Sequence, residues 1–114
     1  MKRLELVLLL LFVHSCGAAE LGRVSWYGEE CKGKRTASGE PFDPEKLTCA
    51  SNTHKLGATL RVTNPRTKEF VIVRVTDRGP ALWTKRILDL SRRAFSQIAN
   101  LDDGERWFTV EEVK

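Results

Sequence analysis

Three carboxylates stand where a side chain can do acid or base work. Glu40 and Asp43 fall within Thr36-Ala37-Ser38-Gly39-Glu40-Pro41-Phe42-Asp43, and Asp77 within Val75-Thr76-Asp77-Arg78-Gly79-Pro80. Asp77 directly follows the most apolar stretch of the middle of the chain, so its carboxyl can be half buried there. Burial favours the protonated form of a carboxyl, which is what a general acid needs. The same sequence also suits a turn, in which an aspartate binds nearby backbone N–H groups. Glu40 and Asp43, beside the rigid Pro41 and Pro44, read first as turn residues.

Other chemistries lack their parts. His14 falls in the leader described below, leaving His54 as the one histidine beyond it, with no nucleophile motif around any serine or cysteine, so a Ser-His-Asp arrangement is not supported. No CxxC or HxxxH spacing occurs, and neither a metal nor a cofactor is expected. Gly28, Gly33 and Gly39 do not follow a strand with phosphate-loop spacing. Trp26, Tyr27 and Trp83 have faces suited to stacking on sugar rings, although aromatics in a small domain more commonly fill its core.

These residues need a scaffold, and the strand signals supply one. Leu60-Arg61-Val62-Thr63 and Glu69-Phe70-Val71-Ile72-Val73-Arg74-Val75-Thr76 are rich in β-branched residues and alternate in polarity, with Asn64-Pro65-Arg66-Thr67-Lys68 as the turn between them. Further strands are predicted at 23–27, 87–90 and 107–113. Ser91 is placed to cap one late helix carrying Leu90, Ala94, Phe95 and Ile98 on one side. Residues 28–44 form a long loop rich in glycine, proline and polar groups.

The chain has 114 residues, 41% apolar and 30% charged, with a net charge of +4. That composition fits one globular domain and excludes a multi-span membrane protein. Lys2 and Arg3 precede an apolar run over 6–13 and then Ser15, Gly17, Ala18 and Ala19, the pattern of a secretory signal peptide. The leader covers 1–19 if cleavage follows Ala19, or 1–15 if Cys16 is the acceptor of a lipoprotein lipid that would anchor the chain to a membrane. The domain then spans 20–114. Export turns the basic bias away from nucleic acid and toward wall polymers. Either route leaves Cys31 and Cys49, which in an oxidising compartment are expected to form a disulfide that holds the 28–44 loop in a monomer.

Taken in order, Val24-Ser25-Trp26-Tyr27-Gly28, Arg35-Thr36-Ala37-Ser38-Gly39-Glu40, Leu47-Thr48, Leu56-Gly57, Leu60-Arg61-Val62-Thr63-Asn64, Val73-Arg74-Val75-Thr76-Asp77-Arg78-Gly79-Pro80 and Arg86-Ile87-Leu88-Asp89-Leu90-Ser91 resemble the rare lipoprotein A (RlpA-like) domain. The resemblance implies a mainly β fold, a six-stranded double-psi β-barrel with one short helix late in the chain. It implies an exported, periplasmic or secreted lytic transglycosylase that cleaves peptidoglycan glycan strands lacking stem peptides and leaves 1,6-anhydro-muramic ends. Asp77 takes the position of the catalytic acid, and Glu40 and Asp43 match acidic positions of the same groove. Trp26, Tyr27, Thr36, Ser51, His54 and Arg78 are the residues expected to meet the sugar. One departure stands out: the family commonly has a histidine where this chain has Ser51, and His54 lies three residues later. The alternative is an expansin-like module that binds or loosens wall polysaccharide without cleaving it.

Overall fold

The computed structural model describes residues 19–114, so the signal-peptide expectation and the lipid on Cys16 lie outside the described residues. Six strands, β1 (Glu20–Trp26), β2 (Thr48–Ala50), β3 (Thr59–Thr63), β4 (Phe70–Asp77), β5 (Leu88–Leu90) and β6 (Glu105–Val113), close into a barrel in the order β1-β5-β2-β4-β3-β6. The β1–β5 and β2–β4 pairs are parallel and the other four antiparallel. This is the six-stranded double-psi barrel that the resemblance implied.

Alternation fills the barrel. Leu60 and Val62 of β3 and Val71, Val73 and Val75 of β4 are buried, while Arg61, Phe70, Ile72 and Arg74 between them face water. Phe108 of β6 packs on Phe95 with ring centroids 5.6 Å apart. Each large side chain so buried contributes about 1.5–3 kcal/mol by leaving water. Phe95 arrives on α1 (Arg92–Ser96), whose cap is the expected Ser91: its hydroxyl accepts the Ala94 N–H at 3.2 Å. Leu90, Ala94, Phe95 and Ile98 are all buried, as the helical spacing predicts.

The strands differ from expectation at several places, β6 for one starting at Glu105 rather than Trp107. β1 starts at Glu20 rather than Arg23, because β6 pairs with it in register from Glu20 opposite Val110. β2, the sixth strand, was not located by the strand signals: three residues are too few to show a period, and its place comes from neighbours on both sides.

The disulfide is a correction. Cys31 and Cys49 are both free thiols. Cys49 sits on β2 within the barrel core, and Cys31 lies on the short turn Glu29–Cys31. Backbone bonds hold the loop instead: Gly33 N–H to Phe42 O (2.9 Å), Phe42 N–H to Lys34 O (2.8 Å) and Thr36 N–H to Glu40 O (2.8 Å), with Arg35 bridged to Pro41.

Candidate active site

Asp77 is the last residue of β4, and its position is fixed from three directions. Its Oδ1 accepts the N–H of Ala37 at 3.0 Å and of Arg78 at 2.9 Å, and its backbone carbonyl accepts the N–H of Ser51 at 3.0 Å. Ser38 N–H donates to Thr76 O at 2.9 Å, so the segment carrying Glu40 is stitched to the end of β4.

Across the barrel wall, Ala50 of β2 is the register partner of Asp77 on one side and of Asp89 on the other. Asp89 is in turn the partner of Ser25 on β1. Asp77 and Asp89 are thus two strand spacings apart at the backbone, about 10 Å. The residues between them are small. Gly79 has φ +140°, a conformation that favours glycine, and a Cβ there would lie 3.6 Å from the Ala50 Cβ and 3.8 Å from the Tyr27 hydroxyl. Tyr27, whose hydroxyl lies near Gly79, is braced edge-on by Phe42 at 5.0 Å. Burial holds its phenol well above the usual range, and the charges of Asp77 and then Asp89 push the same way.

Asp89 is buried and only 7% exposed. Ser25 Oγ donates to its Oδ1, and Arg86 Nη1 lies 3.3 Å from the same oxygen while also donating to Ser25 Oγ. Burial raises the Asp89 carboxyl above its ordinary range, against the opposing pull of the Ser25 hydrogen bond and the Arg86 charge. Sequence reading did not single out Asp89 as an acid. The available signal was a carboxylate between two leucines in a short strand, with an arginine three residues before it.

Glu40 has a different environment. Arg74 donates to both of its oxygens, at 2.8 and 3.0 Å, and Ser38 Oγ donates to Oε1 at 3.1 Å. The Arg74 hydrogen bonds, followed by that of Ser38, bring its carboxyl down to about 2. Glu40 is therefore ionised near neutrality and accepts hydrogen bonds rather than giving a proton. Asp43 turns its Oδ1 to the N–H of Glu45 at 2.9 Å and lines, with Glu40, Phe42, Lys46 and Thr76, a shallow notch beside the end of β4.

The remaining expected sugar contacts are largely occupied within the protein. Thr36 is buried and donates to Glu40 O at 2.8 Å. Trp26 packs on the core and donates its Nε1–H to Leu101 O at 3.2 Å. Ser51 is fully buried, its hydroxyl accepting the N–H groups of Thr53 (3.2 Å) and His54 (3.0 Å). His54 turns its Nδ1 to Glu112 Oε1 at 3.1 Å on β6, and Arg78 donates to the carbonyls of Ser51 (3.0 Å) and His54 (2.6 Å). The structure therefore brings Asp77, Glu40, Asp43 and Tyr27 to one end of the barrel, and gives Ser51, His54 and Arg78 to the shape of an adjoining loop. A depression of about 740 Å³ bordered by Asn64, Arg66, Gln97 and Trp107 includes none of the expected site residues.

Residues 19–108 match the family described as lytic transglycolase. An endolytic peptidoglycan transglycosylase RlpA of Neisseria meningitidis is 35% identical over 94 residues, which is 82% of this chain and 39% of the relative. Its counterpart in Yersinia pestis is 44% identical over 80 residues, 70% of this chain and 22% of the relative. The chain thus spans well under half the length of these two relatives. Among solved structures, a Streptomyces papain inhibitor superposes with a TM-score of 0.69 at 25% identity, covering 85% of this chain and 96% of that one. A mutant Clavibacter michiganensis expansin in complex with cellohexaose gives a TM-score of 0.65 at 20% identity, covering 85% of this chain and 51% of the other, a likeness of fold.

Proposed function

Because the chain belongs to the lytic transglycolase family, we propose that it is an endolytic peptidoglycan transglycosylase, acting outside the cytoplasm on glycan strands that lack stem peptides. The observation that carries this reading is the placement of Asp77 at the end of β4, partly open to solvent, with its Oδ1 held by the Ala37 and Arg78 N–H groups and the segment carrying Glu40 stitched beside it. A sugar unit laid against this end of the barrel meets the Asp77 carboxyl.

Asp77, which a substrate can reach where Asp89 is buried, is the general acid that protonates the leaving glycosidic oxygen. As that bond breaks, the muramic acid 6-hydroxyl attacks C1 of its own ring, and its proton passes back to the carboxylate. The result is one 1,6-anhydro end and one new 4-hydroxyl. The internal nucleophile replaces the water that a hydrolase must activate with a second carboxylate, so one proton-cycling acid suffices. Asp89 stays buried in the barrel wall against Ser25 and Arg86, and the ionised Glu40 anchors the loop segment whose Ala37 N–H holds Asp77. The apolar leader provides the export that such a substrate requires, with Cys16 available as a lipid acceptor if the lipoprotein route is used.

The experiment is mass spectrometry of products formed from purified peptide-free glycan strands. Anhydro-muramic ends that accumulate with the protein support the reading, and intact strands after prolonged incubation overturn it. A second reading, expansin-like binding without cleavage, draws on one observation: Ser51 stands where the family commonly has a histidine, and its hydroxyl is committed to the Thr53 and His54 N–H groups. Retained glycan binding with no cleavage is its signature.

A further inference from the structure

The segment joining Asp77 to Asp89 carries two apolar side chains almost wholly in water. Leu82 is 82% and Trp83 85% exposed, on the short turn Leu82–Thr84. The segment around them is held by several hydrogen bonds. Asn52 Nδ2 donates to Pro80 O at 2.6 Å and Thr84 Oγ1 to Ala81 O at 2.7 Å. Arg23 Nη2 donates to Thr84 O at 2.7 Å, and the Arg86 N–H donates to Thr84 Oγ1 at 3.2 Å. Arg86 then continues to Ser25 and Asp89. An indole kept in water by an ordered loop forgoes the gain that burial would bring, which makes a partner the natural complement to its exposed face. The other two candidate stacking aromatics are braced within the protein, Trp26 by Leu101 O and Tyr27 by Phe42.

We propose that Leu82 and Trp83 form a sugar-stacking finger, a further glycan subsite beside Asp77 that makes recognition depend on strand length. The occupant is a pyranose ring of the glycan strand. Its C–H face is apolar and flat enough to lie on an indole, while its hydroxyls stay in water. Because the finger lies on the segment that leaves the end of β4 at Asp77, a ring held on it belongs to the same strand that meets Asp77. This rests on the glycan reading above.

The test uses Trp83→Ala and Trp83→Phe, with Trp107→Ala as a control at an indole 58% exposed on β6. Affinity for long peptide-free strands, and KM and kcat for their cleavage, are compared with the same quantities for the shortest fragments cleaved. Trp83→Ala should weaken binding of long strands and raise KM by about tenfold, roughly what the loss of one aromatic stacking contact is worth. It should leave kcat, the short fragments and the melting temperature unchanged. Trp83→Phe should recover most of the loss, and Trp107→Ala should match wild type. Equal affinity and KM for Trp83→Ala and wild type overturn the finger, as does an equal loss in Trp107→Ala. Loss of binding to anionic phospholipid vesicles with glycan affinity intact also overturns it, by assigning the finger to a lipid surface. If wild type binds strands but never cleaves them, the transglycosylase reading fails, and the binding comparison still decides the finger.

Discussion

Asp77 and Asp89 share Ala50 as a register partner, one through the parallel β2–β4 pair and the other through the antiparallel β2–β5 pair. Their separation is therefore set by backbone hydrogen bonding of the barrel wall rather than by the reach of a loop. The two are not equivalent, since Asp77 is partly open to solvent and anchored by backbone N–H groups, whereas Asp89 is buried between Ser25 and Arg86.

Asp77→Asn keeps the shape of the side chain and removes its transferable proton. Glycan cleavage should fall by about a hundredfold or more, within the range general acid catalysis supplies. Binding to peptide-free strands should persist. Product counting and a pull-down on the same preparation check both, and cleavage within a few-fold of wild type would remove Asp77 from the role.

Asp89 couples the site to stability. Its folded pKa is raised by burial, so the folded chain holds that proton more tightly than the unfolded chain does. The resulting contribution is fully present below the unfolded carboxyl range and is lost as pH rises through the folded pKa. Asp89→Asn should therefore gain in melting temperature relative to wild type as pH rises from about 3 to about 7. A difference that is flat with pH, or that shrinks toward neutrality, refutes the sign.

Glu40 runs the other way. Its pKa is depressed to about 2 by Arg74, so the pairing is present above the unfolded range and is lost only as pH falls toward 2. Because the pair is exposed and screened, Glu40→Gln should shift the neutral melting temperature little, and less still in high salt. Its effect on cleavage should be smaller than that of Asp77→Asn. A loss as deep as the Asp77→Asn loss would make Glu40 a member of the reacting set.

The thiols should differ in reactivity. Burial pushes the Cys49 thiol up to about 12, and burial followed by the Glu30 charge raises Cys31 less. Alkylation near pH 8 followed by peptide mass analysis should mark Cys31 in the native protein and Cys49 only after denaturation. A preparation in which neither reacts until a reductant is added would show the two bonded.

Gly79→Ala should destabilise the fold by about 1–3 kcal/mol through its positive φ, while the new methyl itself finds ordinary contact distances to Ala50 and Tyr27. Urea denaturation measures the cost.

Much of this was legible in the chain. The alternation in 60–63 and 69–76 gave β3 and β4 within a residue or so, and Ser91 marked the helix start, because period and capping are local properties. β2 was not legible, since its three residues owe their form to strands that arrive from elsewhere. The same non-locality hid the second carboxylate: Asp89 looks like a polar break in Leu88-Asp89-Leu90 until the crossing of the chain sets it beside Ala50. Glu40 and Asp43 fall close together in the chain, but the partners that separate their characters, Arg74 and the Glu45 N–H, lie on no shared motif. Cys31 and Cys49 were paired by arithmetic and compartment, which take no account of the backbone ladder that already braces the loop.

The circular strand order has a further consequence. A sheet with neither a first nor a last strand presents no row of idle N–H and C=O groups to a passing chain. An open sheet held at high local concentration would otherwise risk templating its own copies into fibres. Among the described residues the wall of the barrel offers no starting edge, so crowding need not lead to self-assembly through strand addition.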